Sequence, residues 1–489
     1  MSTPAATANL TPVPTFQFDA NPVADPRAIV VFGSARFTVL TPALIRLEWA
    51  PDGVFEDRAS QAFVNRRLPT PAFEVTRGSD QVTLATADLT LTYRELGEGF
   101  TEDALEIVLT RPIDGRTVLW RPGTPDTGNL KGTTRTLDGF SGAAPLEPGL
   151  LSRDGWALVD DSARLLFDGS PWNWMTPRRE GDSLDWYFFG HGRDYRRALK
   201  DFTAVSGPIP MVPRYVLGSW FSRYWPYADH EYKAIVEEYR AHGVGLDVLV
   251  LDMDWHLDGW TGYTWNPRYF PDAPAFLRWC REHRIRTTLN LHPADGVGKH
   301  ESAFRSFAAA MGVPRHVYRI PFDCASPQFM RNYFDLLHHP LEAQGVDFWW
   351  MDWQQGTTSS MPGLDPLFWL NHLHWQDMHT NPKRDNLRPL VFSRWGGLGN
   401  HRYQIGFSGD TFNDWESLAF QPGFTATAAN VGYAWWSHDI GGHQPGPVDD
   451  ELYVRWVQYG IFSPVLRLHS GREPRAERRI WKFSDWAFT

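Results

Sequence analysis

Residues 346–356 read VDFWWMDWQQG: a run from Val346 to Met351, apolar except for Asp347, that ends on a carboxylate, Asp352, set between Trp350 and Trp353. A short run that is apolar on both faces is the pattern of a strand in a parallel sheet, covered by helices on either side. Comparable runs lie at Tyr215–Trp220, Leu246–Asp254, Thr287–Pro293, Leu390–Trp395, Gln404–Asp410, Tyr433–Ile440 and Val465–His469. Amphipathic stretches fall between them, at Glu231–His242, Ala275–Arg284, Gln328–Ala343 and Glu451–Ile461. Buried-type strands alternating with helices over roughly 250 residues predict a (β/α)8 TIM barrel. A doubly wound open sheet is the alternative, but the Gly-rich phosphate fingerprint that would support it is missing from the sequence.

The ends of these runs carry chemistry. They finish on Asp252 and Asp254, His292, Asp352, Arg394, Asp410, His438 and Asp439, then Arg467 and His469. Strand C-termini of a barrel converge on one face, where active sites are built. Gathering ionisable groups there is costly unless they are paired or solvated. Taken alone, Asp352 reads as a strand-end aspartate capping the next turn. A second carboxylate changes that reading: residues 407–410, FSGD, again place an aspartate after a strand, with Gly409 allowing close backbone approach. Glycoside hydrolysis uses two carboxyl groups flanking the scissile bond. In its retaining form one attacks the anomeric carbon, and the other protonates the leaving oxygen and then activates water.

Upstream, the texture is different. Phe37 and Val39, then Leu44, Ile45, Leu47 and Trp49, form short runs, while Val82, Leu84, Leu89, Leu91 and Tyr93 alternate with polar residues. Period-2 alternation broken by Gly, Pro and Asp predicts antiparallel strands with one buried face, here an N-terminal β-sandwich. Tyr195–Ala204 reads as a short linking helix. The expected organisation is a β domain with linker over residues 1–208, followed by the catalytic barrel over 209–489.

Composition narrows the partners. The 489 residues include 24 Trp, and Phe, Tyr and Trp together make 15% of the chain. Many of these rings belong to a core, and a lined pocket for flat ligand faces such as sugars is the functional counterpart. A net charge of −10, spread along the chain, argues against a nucleic-acid backbone partner. Two cysteines, Cys280 and Cys324, leave no disulfide framework and no Cys-based metal site. Met1–Phe18 is Ala/Thr/Pro-rich without a signal-peptide pattern, and no apolar run reaches membrane-spanning length, so a cytoplasmic protein is expected. His372, His374 and His379 with Asp377 lack a strong zinc spacing and read as core or surface histidines; no metal or other cofactor is expected. His292 and Asp295, at the third strand's end, are assigned to the pocket. No nucleophile elbow or P-loop appears.

The barrel region resembles glycoside hydrolase family 31, the α-glucosidase and α-xylosidase family. The resemblance rests on LDMDW (Leu251–Trp255), WMDWQ (Trp350–Gln354), SRW (Ser393–Trp395), FSGD (Phe407–Asp410), HDIGGH (His438–His443) and RWVQYGIFSPVLRLH (Arg455–His469), in the family's order. It covers about residues 150 to 489. It implies Asp352 as nucleophile and Asp410 as general acid/base. Asp252, Arg394 and His469 would hold sugar hydroxyls, Trp350 and Phe407 would form apolar walls, and Met253, His292, Trp353 and His443 would complete the substrate shell. Arg394 would keep Asp352 ionised, whereas Asp410 needs surroundings that raise its pKa.

The sequence departs from the family pattern at Asp352-Trp353-Gln354-Gln355, where Asp-Met-Asn-Glu is usual, and at Phe407, where Trp is frequent. His443 stands in place of a Phe that faces the sugar. The resemblance also implies that Arg479–Thr489 begins the last barrel helix and that the chain is truncated within it. The activity expected is that of an exo-acting retaining α-glycosidase, first an α-glucosidase, acting on α-linked oligosaccharides or glycosides. A transglycosylase or α-glucan lyase on the same carboxylates, and a non-catalytic carbohydrate-binding protein, are the competing readings.

Overall fold

The computed structural model describes residues 20–489 apart from 171, 258, 315, 382, 383, 385 and 386. The Ala/Thr/Pro-rich start read above as lacking a signal peptide, Met1–Phe18, lies outside the described residues.

Two antiparallel sheets form the N-terminal half. One runs in the order Ile29–Phe32, Ala35–Thr41, Leu44–Trp49, Leu184–Phe189, Ala157–Asp160. The other is a meander of Glu74–Arg77, Gln81–Ala85, Leu89–Arg94, Leu105–Leu109 and Leu119–Trp120. In the meander the sequence alternation appears directly as burial: Val82, Leu84, Leu89, Leu91, Leu105 and Ile107 point inward, and the residues between them are partly exposed. These side chains share one core with Phe37, Ile45 and Leu47 of the first sheet, so the sheets are packed face to face.

The first sheet lacks that alternation. Leu44–Trp49 is buried at every position. Its second face, through Leu40, Leu44, Tyr187 and Phe189, packs against Trp395, Phe424, Tyr433 and Trp436 of the C-terminal half. Each large side chain buried there contributes about 1.5–3 kcal/mol, and the contact brings the two halves together beside the site described below.

The C-terminal half is an eight-stranded parallel sheet whose strands follow chain order: Ser219–Phe221, Val248–Leu251, Arg286–Leu291, Phe348–Met351, Val391–Ser393, Gln404–Phe407, Trp436–Ser437 and Leu466–Leu468. The first strand pairs with both the second and the last, and bridges Ser437–Val465 and Ile440–Leu468 join the seventh to the eighth. The sheet thus curls into a barrel.

Helices cover the strands for local reasons. Asp229–Ala241 buries Tyr232, Ile235, Val236 and Tyr239, one stripe at helical spacing. Asp272 and Asp449 cap the helices Ala273–Glu282 and Asp450–Ile461 by accepting otherwise unpaired N–H groups.

The structure corrects several element readings. Tyr215 belongs to a 3-10 turn, Arg214–Leu217, and the first strand starts only at Ser219. The helix expected over Gln328–Ala343 is Pro327–Asn332 and His339–Gln344 joined by a π-helical turn, Tyr333–His338. Pro340 has no amide hydrogen to continue a regular ladder, and the widened turn precedes it. Arg479–Thr489 contains a 3-10 turn, Ile480–Lys482, and one helical turn, Asp485–Phe488. Among the described residues no helix is long and apolar enough to cross a membrane.

Candidate active site

Asp352 follows the fourth strand and is held there by its own backbone, whose N–H donates to the Leu291 carbonyl at 3.0 Å. One carboxylate oxygen, Oδ1, accepts from Nε of Arg394 at 2.6 Å, and Oδ2 lies 3.3 Å from Nε2 of His292. Arg394 follows the fifth strand and His292 the third, so neighbouring strand ends supply both partners. Burial alone would raise the Asp352 carboxyl, but Arg394 and then His292 outweigh it and hold the group well below the usual carboxylate range. An ionised, desolvated carboxylate is a competent nucleophile.

Asp410 follows the sixth strand, and its carboxyl is shifted in the opposite direction. Its Oδ1 is 3.8 Å from Nη2 of Arg394 and 3.8 Å from Nδ1 of His443, both beyond hydrogen-bond length. Its Oδ2 accepts from the Gln354 side-chain amide at 3.3 Å. Burial dominates and pushes the carboxyl up to about 7, against His443 and Arg394, which pull it down. One guanidinium therefore faces both carboxyls, one in close contact and ionised, the other at a distance and proton-retaining. Such a split separates acid from base within one site.

Asp138 reaches this pair from the N-terminal half, and the sequence reading missed it. Its Oδ1 accepts from the backbone N–H of Asp410 at 2.6 Å and from Nη1 of Arg394 at 2.9 Å, while Oδ2 accepts from Gln354 at 3.0 Å. Thr136 also accepts from Arg394, and Leu137 donates to the Ser408 carbonyl at 2.8 Å. Burial raises the Asp138 carboxyl, and Arg394 reverses the effect and holds it below its ordinary value. The close approach requires Gly409: at φ +96° a side chain is strained, and an added Cβ would lie 2.6 Å from Asp138 Oδ1. Gly409 was the one local signal that something packs there. The partner, 272 residues from Asp410, had no signal of its own.

The remaining expected residues are distributed as follows. Asp252 is buried after the second strand, accepts the Met253 N–H at 2.8 Å, and is pushed by burial up to about 6. Met253 is half-buried beside it. Trp350 and Phe407 are fully buried and meet edge to face, 5.1 Å apart. His292 is covered by Trp260, a partly exposed indole 4.3 Å away that sequence reasoning did not single out. Trp353 is buried, donates to the Gly356 carbonyl at 2.7 Å and packs on Phe322 at 5.4 Å, so its polar atom already has a partner.

Both ring nitrogens of His469 are engaged as well: Nδ1 lies 2.7 Å from Ser222 Oγ, and Nε2 lies 2.8 Å from Nδ1 of His443. Asp295 pairs with Arg319 at 3.3 Å and is substantially exposed. His438 turns toward Thr425 and Tyr459, and Asp439 forms a fully buried pair with Arg467.

Among the described residues, two clusters have the composition of a metal site. Asp439, His443 and His469 form one, and His339, Glu342 and Asp377 the other. In the first, Asp439 is bound to Arg467 and the histidines to each other. In the second, His339 sits between Asp335 and Asp377, and Arg384 is 3.9 Å from Glu342. His372 and His374 each contact a tyrosine hydroxyl, Tyr403 and Tyr333, as core histidines do.

Residues 209–489 match the family model described as the glycosyl hydrolases family 31 TIM-barrel domain. Among curated proteins, the chain is 23% identical over 335 residues to an α-xylosidase of Saccharolobus solfataricus, covering 62% of this chain and 43% of that one. It is 23% identical over 340 residues to α-glucosidase 2 of Bacillus thermoamyloliquefaciens, covering 63% and 42%. The matched region thus spans less than half the length of these relatives. Among solved structures, a family 31 dextranase of Flavobacterium johnsoniae complexed with isomaltotriose superposes with a TM-score of 0.71 at 17% identity, over 96% of this chain and 67% of that one. A family 31 α-xylosidase from a soil metagenome, complexed with xylose, superposes with a TM-score of 0.68 at 16% identity, over 94% and 81%.

Proposed function

Because the chain belongs to glycosyl hydrolase family 31, we propose that it is a retaining, exo-acting α-glycosidase that works by double displacement on terminal α-linked sugars, with α-glucosides as its first substrates. The observation that carries the reading is the single guanidinium of Arg394 facing an ionised Asp352 and a proton-retaining Asp410.

Asp352 attacks the anomeric carbon and forms the glycosyl-enzyme, while Asp410 gives its proton to the departing glycosidic oxygen. Asp410, now ionised, then takes a proton from water as that water attacks the anomeric carbon from the face the leaving group left. Two inversions return the α-configured product. Asp252 and Arg394 hold sugar hydroxyls, and Trp350 and Phe407 give the barrel interior its apolar floor. Residues 1–208 form the β domain and 209–489 the catalytic barrel. Relatives named α-xylosidase and α-glucosidase support the α-glycosidic substrate class.

The test is a panel of aryl α-glycosides (glucose, xylose, galactose, N-acetylgalactosamine and sulfoquinovose) assayed with the wild-type chain and Asp352→Ala. Cleavage of at least one member, abolished in the variant, is the expected result. No cleavage of any member, or full rate in Asp352→Ala, overturns the reading. An initial β-anomer in the NMR spectrum of the product overturns the retaining mechanism alone.

A further inference from the structure

His443 follows the paired glycines Gly441 and Gly442, both in the left-handed region at φ +99° and +80°. An added Cβ on Gly442 would come within 2.6 Å of the Asn413 backbone. The loop is therefore pressed against the segment just after Asp410, and backbone bonds lock it in register. The His443 N–H donates to the Thr411 carbonyl at 2.9 Å, and its own carbonyl accepts from Gly471 at 2.8 Å. This ties the imidazole to the strand end bearing Asp410 on one side and to the one bearing His469 on the other.

A hydrogen-bonded row leads to the ring: Ser222 Oγ to His469 Nδ1 at 2.7 Å, then His469 Nε2 to His443 Nδ1 at 2.8 Å. Burial, followed by the charges of Arg467 and His443, holds His469 well below the usual imidazole range, so the ring is neutral and carries one N–H. A neutral imidazole between a hydroxyl and a second imidazole is either donor or acceptor toward His443, and the rotatable Ser222 hydroxyl satisfies its other nitrogen in both cases. The row accepts His443 in more than one protonation state without orphaning a buried polar atom. The same His443 Nδ1 is 3.8 Å from Asp410 Oδ1.

We propose that His443 is a positioning residue for Asp410: braced by Ser222 and His469, its imidazole faces Oδ1 and sets the pH range in which that carboxyl releases its proton. The proposal rests on the reading of Asp410 as acid/base. The other charged groups around the two residues are Asp252, Asp352, Asp138 and Asp439 on the acidic side and Arg394, Arg467 and Arg478 on the basic side.

In His443→Phe the alkaline limb of the kcat/KM profile moves up by about one pH unit, because a group that pulls the Asp410 carboxyl down is gone. His443→Asn, which is polar but cannot be charged, moves the limb the same way. A limb that is unmoved or lower in whichever of the two variants folds, as judged by circular dichroism, overturns the proposal. A second readout needs neither substrate nor a His443 variant. The 15N resonances of the His443 ring, followed from about pH 5 to 8, record the ionisation of Asp410, and Asp410→Asn removes that inflection. Identical curves in wild type and Asp410→Asn overturn the proposal. The parent reading is checked separately by azide rescue of Asp410→Ala on an aryl glycoside with a good leaving group. Failed rescue sinks the acid/base assignment, whereas successful rescue with an unmoved limb sinks only the role of His443.

Discussion

The first N-terminal sheet and the mouth of the barrel both bury arginine against aspartate, and they do so to different ends. In the sheet, Arg46 lies 2.7 Å from Asp185 and 3.1 Å from Glu48, Arg36 contacts Glu48 at 2.7 Å, and Arg178 bridges Asp161 and Asp185 at 2.8 and 2.9 Å. Each carboxylate there touches a cation at salt-bridge distance. At the barrel mouth Arg394 grips Asp352 and Asp138 as tightly, yet Asp410 stands 3.8 Å off and remains 19% exposed. Shifted ionisation occurs in both places: burial pushes Asp161 up to about 6 and Asp410 up to about 7. A perturbed carboxyl is thus a poor marker of function by itself. What separates the two regions is closure. In the sheet network each carboxylate has a guanidinium within 2.8 Å, while at the barrel mouth Asp410 stands 3.8 Å from Arg394.

The contrast can be broken experimentally, and the strongest blow falls at the barrel. Asp352→Ala is expected to lower turnover of the best aryl α-glycoside by about 10⁴-fold or more, as loss of a nucleophile does. Next in size is Arg46→Ala, which strips a closed network and leaves Asp185 and Glu48 buried with less compensation. A loss of about 3–5 kcal/mol in denaturant unfolding is expected, with kcat of the folded fraction unchanged. If Arg46→Ala instead left stability intact and reduced kcat, the sheet network would belong to the site and the comparison would collapse.

Asp138→Ala probes the seam between the two regions. It releases the Asp410 backbone, one anchor of Arg394 and one of Gln354. Misplacement of an acid/base by a fraction of an ångström to one ångström costs up to about 10²-fold, so a drop in kcat/KM of that order is expected, with a small change in melting temperature. The mildest effect is that of pH. Asp352 stays ionised down to well below the ordinary carboxylate range, and Asp410, in its proposed role as acid, must hold its proton. Activity therefore persists below about pH 7 and falls as pH rises through that value, where Asp410 deprotonates. A kcat/KM profile still flat well above pH 7 would place the proton donor elsewhere.

How much of this was legible beforehand follows from how local each feature is. The strands Phe348–Met351 and Gln404–Phe407 were readable because an apolar run needs only its own residues to declare itself. Asp352 and Asp410 were readable because they end such runs. The first strand was misplaced at Tyr215, where a 3-10 turn carries the same apolar signal as a strand. Trp353 was placed in the substrate shell, and nothing in the sequence signalled that its indole donates to Gly356, three residues along its own loop. Residue type alone does not reveal which face a loop presents. His469 was assigned to the sugar from its motif; its contacts with Ser222 and His443 could not be read from the sequence, because both partners lie on other strand ends.

The sequence by itself determined the chemistry available at the barrel mouth. Which residue ends a strand is settled within a few positions of chain, and parallel strands in a closed sheet must bring those ends to one face. Only the tertiary structure decided how that chemistry is divided. Asp138 arrives because one sheet of the N-terminal half packs its second face on the barrel. Arg394 lies 2.6 Å from Asp352 and 3.8 Å from Asp410, distances set between the ends of three separate strands. The ionisation of both carboxyls follows from those distances and from burial, and neither quantity exists until the chain has closed around them.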